Sequence, residues 1–180
     1  MESDVQKVLL TADEINSKVL ELGRQITQDY VGQNLLVVGI LKGAVVFMSD
    51  LIRQIKTPHA IDFMAVSSYG VSTESSGVVR IMKDLERSIE NVNILIVEDI
   101  IDTGLTLKYL VENLRARNPL SVRVCTLLDK ASRRKVDIAA DYNGFAIPDE
   151  FVVGYGLDYN ERFRHLPYVG VLKPAAYGGK

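Results

Sequence analysis

Three short apolar runs restrict what this chain can become: Leu35–Ile40, Ile94–Val97 and Val122–Leu128. Apolar residues without alternation suit strands covered on both faces, the environment of a parallel sheet. Helical patterns lie before and between them. Thr11-Ala12-Asp13-Glu14 reads as a capping box, and Ile15, Val19, Leu22 and Ile26 follow at helical spacing, so a first helix is expected to about Tyr30. A second is expected from Ala44 to about Ile55, and a third from Leu105 to Arg117. Further strands are expected around Ile61–Val66, Val78–Met82, Phe151–Val153 and Val169–Leu172, with His59 in a Pro-containing loop and a loose tail after Pro174. Ser67–Gly77 is rich in Ser and Gly without apolar period and is expected to be a mobile loop. Strands alternating with helices give an α/β fold, a mostly parallel twisted sheet flanked by helices with right-handed crossovers.

The 180 residues fit one domain with a substantial core. A net charge of −2 gives no pull toward nucleic acid, and no apolar run approaches the ~20 residues of a bilayer span. The N-terminus lacks the basic start of a secretory signal, and the one cysteine, Cys125, has no internal partner; a cytoplasmic location is expected. Two histidines and a cysteine inside an apolar run give little support to His/Cys metal or nucleophile chemistry.

In open α/β sheets, ligands bind beyond the carboxyl ends of the strands. Five polar or glycine-bearing strings are expected there: Leu41-Lys42-Gly43, Ser68-Tyr69-Gly70, Glu98-Asp99, Asp129-Lys130 and Gly156-Leu157-Asp158. The central one continues as Glu98-Asp99-Ile100-Ile101-Asp102-Thr103-Gly104-Leu105-Thr106. A strand delivers two carboxylates, and a short turn with a third opens a helix. Amides at a helix N-terminus carry positive partial charge and suit a phosphate. Gly104 permits close approach, and the hydroxyls of Thr103 and Thr106 add donors. Alone, Asp-Thr-Gly reads first as a helix cap. Three carboxylates within five residues repel one another unless cations or sugar hydroxyls compensate, which favours a binding site.

This string resembles the phosphoribosyl-diphosphate (PRPP) motif of the type I phosphoribosyltransferases. Leu41-Lys42-Gly43, Ser68-Tyr69-Gly70, Leu128-Asp129-Lys130 and the run Phe151–Glu161 follow the order seen in the hypoxanthine–guanine enzymes, so the resemblance covers roughly Val37 to Val171. It implies the type I phosphoribosyltransferase fold, one domain over residues 1–180, with a core at about 34–145 and a small hood from about 1–15 and 146–175. It implies Mg²⁺-dependent transfer of 5-phosphoribosyl from PRPP to N9 of a 6-oxopurine, in a homodimer or homotetramer.

Residue by residue, the resemblance makes Asp102 the proton acceptor or donor near purine N7, and Asp102, Thr103, Gly104, Leu105 and Thr106 the 5′-phosphate loop. Leu105 is apolar where some relatives carry a cation, so only its amide is expected to matter. Glu98 and Asp99 would hold ribose hydroxyls and metal, with Asp158 at a second Mg²⁺. Lys42, Gly43, Ser68, Tyr69 and Arg164 would meet pyrophosphate, with a cis peptide at Leu41-Lys42 and the Ser67–Gly77 loop closing over the site. Lys130 would donate to the purine 6-oxygen, Phe151 would stack on the base, and the Val152 backbone would read its edge. Taken singly, Lys130 reads as a solvated strand end, Phe151 as core, Asp158 as a turn residue and Arg164 as part of an exposed charge run. The main rival is a non-catalytic PRPP-sensing regulator on the same fold.

Overall fold

The computed structural model of the protein describes residues 2–68 and 79–178. Tyr69 and most of the Ser67–Gly77 segment lie outside the described residues. In chain order, β1 (Val5–Leu10) leads into α1 (Ala12–Asp29), then β2 (Leu35–Leu41), α2 (Val45–Gln54), β3 (His59–Ser68) and β4 (Val79–Lys83). β5 (Asn93–Ile101), α3 (Leu105–Arg115), β6 (Ser121–Asp129) and β7 (Tyr142–Ala146) follow, and β8 (Val152–Val153) and β9 (Val169–Leu172) end the series.

The main sheet has the order β4-β3-β2-β5-β6-β7, with only β4 antiparallel to its neighbour. Side chains alternate along each strand, so every inner strand feeds two cores. Leu35, Val37, Leu95 and Val97 face α1 and α2, where Ile15, Val19, Phe47 and Leu51 are buried. Leu36, Val38, Ile94 and Ile96 face α3 through Leu107, Leu110 and Leu114. This double burial is why Leu35–Ile40 and Ile94–Val97 carry no polar alternation, and why only the entry of the third run, at the exposed Arg123, departs from it. The capping box at α1 forms, with Thr11 N–H donating to Glu14 Oε2 at 2.8 Å and Glu14 N–H to Thr11 Oγ1 at 3.3 Å.

Several boundaries differ from expectation. β5 continues through Ile101 because its pairing with β6 continues to Ile101↔Asp129, so Glu98 and Asp99 lie within the strand. His59 pairs with Leu35 and begins β3, while Ser67 and Ser68 pair with Arg80 and Val79 at its far end. β1 and β7 were not expected at all. β1 finds its partner in β9, antiparallel with Val5 opposite Leu172, and β8 completes a separate three-stranded sheet, order β1-β9-β8. Gly156-Leu157-Asp158 therefore follows this small sheet and is not an end of the main one. The tail is structured as far as it is described: Pro174–Ala176 forms a 3-10 turn, and Tyr177 packs beside Val153, Phe163 and Leu172.

Candidate active site

The end of β5 distributes its two acids differently. Glu98 lines a cavity of about 110 Å³ together with Ile101, Asp102, Thr103, Gly104 and Thr106. Asp99 instead packs on Gly43 after β2, where a methyl group would come within 1.7 Å of Asp99 Oδ2. Burial, then the Asp99 charge, push the Glu98 carboxyl well above its usual range. Burial likewise pushes Asp99 up to about 6, opposed by a hydrogen bond from the Ile100 N–H at 2.8 Å and by the charge of Arg164. Neither acid is in an ion pair among the described residues.

Past Ile101 the chain turns into α3 at Gly104, whose φ of 82° lies in the left-handed region that glycine tolerates. Thr103 Oγ1 accepts from the Leu105 N–H at 3.4 Å. The cavity thus sits against the amide end of an 11-residue helix, with room for a small oxyanion.

β6 ends alongside. The Lys130 N–H donates to the Ile101 carbonyl at 2.9 Å, which sets Lys130 next to Asp102. Lys130 is buried, 8% exposed, so the reading as a solvated strand end fails; its Nζ stands 3.8 Å from Asp149 Oδ1. Arg133 bridges the same acids, with Nε 2.8 Å from Asp102 Oδ1 and Nη1 3.6 Å from Asp149 Oδ1. The Asp102 contact lacks hydrogen-bond alignment, and that buried oxygen has no hydrogen-bond partner among the described residues. Arg134 holds the Asp102 carbonyl at 2.8 Å and pairs with Asp129. Sequence reasoning passed over Arg133, Arg134 and Asp149. The signal was present as a basic run, Arg133-Arg134-Lys135, just past a strand end.

On the other side of β5 the Leu41–Lys42 peptide is cis. Lys42 Nζ reaches Glu161 Oε1 at 3.1 Å. Gly154, Tyr155 and Gly156 all have positive φ, and a methyl on Gly156 would come within 2.2 Å of the Gly43 carbonyl. That close approach brings Arg164 to the site: Nη1 donates to the Gly156 carbonyl at 2.8 Å and Nη2 pairs with Asp158 Oδ1 at 2.9 Å. Arg164 is thus largely engaged and not part of a solvated run. Asp158 also accepts from the Glu161 N–H at 2.9 Å.

Phe151 is partly exposed and not core. Its ring stacks on Tyr177, centroids 4.7 Å apart and planes 19° apart, and meets Tyr159 edge-on at 5.6 Å. Val152 is buried in β8 opposite Val171. Among the described residues no three His, Cys, Asp or Glu side chains form a metal-holding cluster. A buried Glu98 and a partly buried Asp99, neither in an ion pair among the described residues, do fit Mg²⁺, which uses one or two carboxylates and completes its shell with water and substrate phosphate.

Comparison with known proteins gives a consistent result. Residues 6–160 match the model of the phosphoribosyl transferase domain. The hypoxanthine-guanine phosphoribosyltransferase of Bacillus subtilis (strain 168) is 59% identical, with 98% of each chain covered. The bifunctional protein TilS/HprT of Listeria monocytogenes serotype 4b (strain F2365) is 56% identical over 98% of this chain; the chain spans 27% of that protein's length. Among solved structures, a hypoxanthine phosphoribosyltransferase from Staphylococcus aureus superposes with a TM-score of 0.95 at 57% identity, covering 98% of this chain and 96% of that one.

Proposed function

The chain belongs to the phosphoribosyl transferase domain family, and from that premise we propose that it is a purine-salvage enzyme moving 5-phosphoribosyl from PRPP to N9 of hypoxanthine or guanine. The products are IMP or GMP and pyrophosphate. The observation that carries the reading is the adjacency of two strand ends: the Ile101↔Asp129 register and the Lys130 N–H bond to the Ile101 carbonyl bring the buried Lys130 beside Asp102, which lines an anion-sized cavity.

The 5′-phosphate is held by the amides and hydroxyls of Asp102–Thr106, which fixes the reacting C1′ in place. Glu98 and Asp99 hold the ribose hydroxyls. As N9 bonds to C1′, the bond from C1′ to the pyrophosphate oxygen breaks and the purine N7 proton passes to Asp102. Lys42, the Gly43 backbone and Arg164, with Ser68 and Tyr69, stabilise the negative charge that gathers on the leaving group. Lys130 donates to the 6-oxygen; an ammonium cannot accept from a 6-amino group, so adenine is disfavoured. Phe151 supplies the stacking face and the Val152 backbone reads the base edge.

Glu98 and Asp99 would hold Mg²⁺, with Asp158 at a second position, and the metal would supply charge neutralisation of the diphosphate. Compensation for two desolvated acids supports this assignment. The small sheet β1-β9-β8 is read as the hood of a single domain. Assembly as a homodimer or homotetramer and a cytoplasmic location belong to the same proposal; among the described residues no helix is long and apolar enough to cross a membrane.

Steady-state assays with PRPP, Mg²⁺ and a panel of free bases test it. Turnover is expected with hypoxanthine or guanine and not with adenine or pyrimidines. PRPP binding without turnover of any base would favour the sensor reading instead.

A further inference from the structure

The segment after β6 reaches back over the phosphate turn and takes three successive carbonyls. The Lys130 N–H donates to the Ile101 oxygen at 2.9 Å, Arg134 Nη1 to the Asp102 oxygen at 2.8 Å, and the Lys135 N–H to the Thr103 oxygen at 2.9 Å. In a trans peptide the carbonyl and the following N–H point in opposite directions. Tying these carbonyls to residues 130–135 therefore turns the amides of Asp102, Thr103 and Gly104 to the opposite side.

The outer two bonds come from backbone amides, which nearly any sequence supplies. The middle one depends on a side chain. Arg134 is only 15% exposed, and it pairs with Asp129, 14% exposed, whose other oxygen accepts from Asn143 Nδ2 at 3.0 Å. The arginine stem also lies close to the turn, since a methyl on Gly104 would come 3.0 Å from Arg134 Cδ. A planar guanidinium reaches a carboxylate and a carbonyl at once; a lysine has no such fork.

We infer that Arg134, fixed by Asp129, is a positioning residue that turns the Asp102–Thr103 peptide so that its N–H faces the 5′-phosphate. It touches no substrate atom. The inference rests on the reading of Asp102–Thr106 as the phosphate loop, and it goes beyond that reading by naming what orients the loop.

The test compares GMP with guanosine, which share base and ribose and differ by the 5′-phosphate. Affinities are measured by calorimetry for the wild type, Arg134→Met, Arg134→Lys and Asp129→Asn. Arg134→Met is expected to weaken GMP about tenfold or more, the scale of one charge-assisted hydrogen bond, and to leave guanosine within about twofold. Arg134→Lys, which keeps the charge and protects the fold, is expected to fall between, and Asp129→Asn to shift the same ratio by less. Equal weakening of both ligands makes Arg134 a general structural residue and overturns the inference, as does no change in either. A wild type that binds GMP no better than guanosine overturns the phosphate-loop reading itself, a result distinct from failure of the variants.

Discussion

The two halves of the site are built on opposite plans. The half carrying Asp102 and Lys130 grows from regular structure, in which β5, β6 and α3 fix the turn and three tied carbonyls hold it. The half carrying Asp158 and Arg164 is irregular, with positive φ at Gly154, Tyr155, Gly156, Asn160, Glu161 and Phe163. Its charged groups are also spoken for: Lys42 and Arg164 are paired with Glu161 and Asp158. The first half presents preorganised donors. On the proposed reading the second would exchange Glu161 and Asp158 for pyrophosphate, whereas in the first the tied backbone stands ready and only the side chains of Asp102 and Lys130, which face Arg133 and Asp149, would change partners. Preorganised groups govern the chemical step, whereas groups that must be released govern binding of the leaving group.

The largest expected effect tests where the chemistry lies. Asp102→Asn keeps shape but removes the proton acceptor, so kcat with hypoxanthine should fall about 10²–10⁴-fold with PRPP affinity nearly unchanged. Turnover within a few-fold of wild type would break the assignment and leave Asp102 a helix cap. Joint loss of binding and turnover would move it into the phosphate loop.

Asp99 stands between the halves, packed on Gly43 and within the field of Arg164 and Asp158. Its carboxyl rises from the ordinary 3.8 to about 6 on folding, so over that interval the folded chain binds more protons than the unfolded one. The associated stability is complete below 3.8 and is lost as pH rises through about 6. Well above that pH, with chelator present, Asp99→Asn should be more stable than wild type by up to about 3 kcal/mol, and the gap should close in acid. Thermal unfolding against pH measures it; a wild type at least as stable as the variant at neutral pH would show that the burial is compensated within the protein.

Lys130→Ala should cost about 1–3 kcal/mol, seen in kcat/KM for hypoxanthine and guanine, as a charged hydrogen bond is lost. Unchanged constants with both bases would remove Lys130 from the site. The smallest effect probes the second half: Tyr177→Ala removes the ring stacked on Phe151, and the KM for the base should rise by the equivalent of about 0.5–1.5 kcal/mol. No change in KM would mean that Phe151 is held without Tyr177.

The same contrast explains what the sequence disclosed. The runs Leu35–Ile40 and Ile94–Val97, and Val122–Leu128 past its exposed Arg123, announced the sheet because burial on both faces leaves a mostly apolar signature, and the turn at Gly104 followed from its place before a helix. β1, Val-Gln-Lys-Val-Leu-Leu, was invisible because it is an edge strand with only Leu10 buried, paired to a segment from the far end of the chain. β7, Tyr-Asn-Gly-Phe-Ala, hides for a similar reason. Arg133 and Arg134 were passed over, since nothing local shows that Asp102, Asp129 and Asp149 wait to receive them. Tyr177 was assigned to a loose tail because its partner, Phe151, lies more than twenty residues away in sequence.

That ring cluster has an optical consequence. The chain contains no tryptophan and eight tyrosines, so its near-ultraviolet emission is tyrosine emission alone. Two of the eight, Tyr159 and Tyr177, touch the ring proposed to receive the purine, with centroids 5.6 and 4.7 Å from Phe151. If Phe151 receives the purine, occupancy of that site should change the protein's own emission, without an attached dye, and Tyr177→Phe should separate the contribution of one reporter from the other.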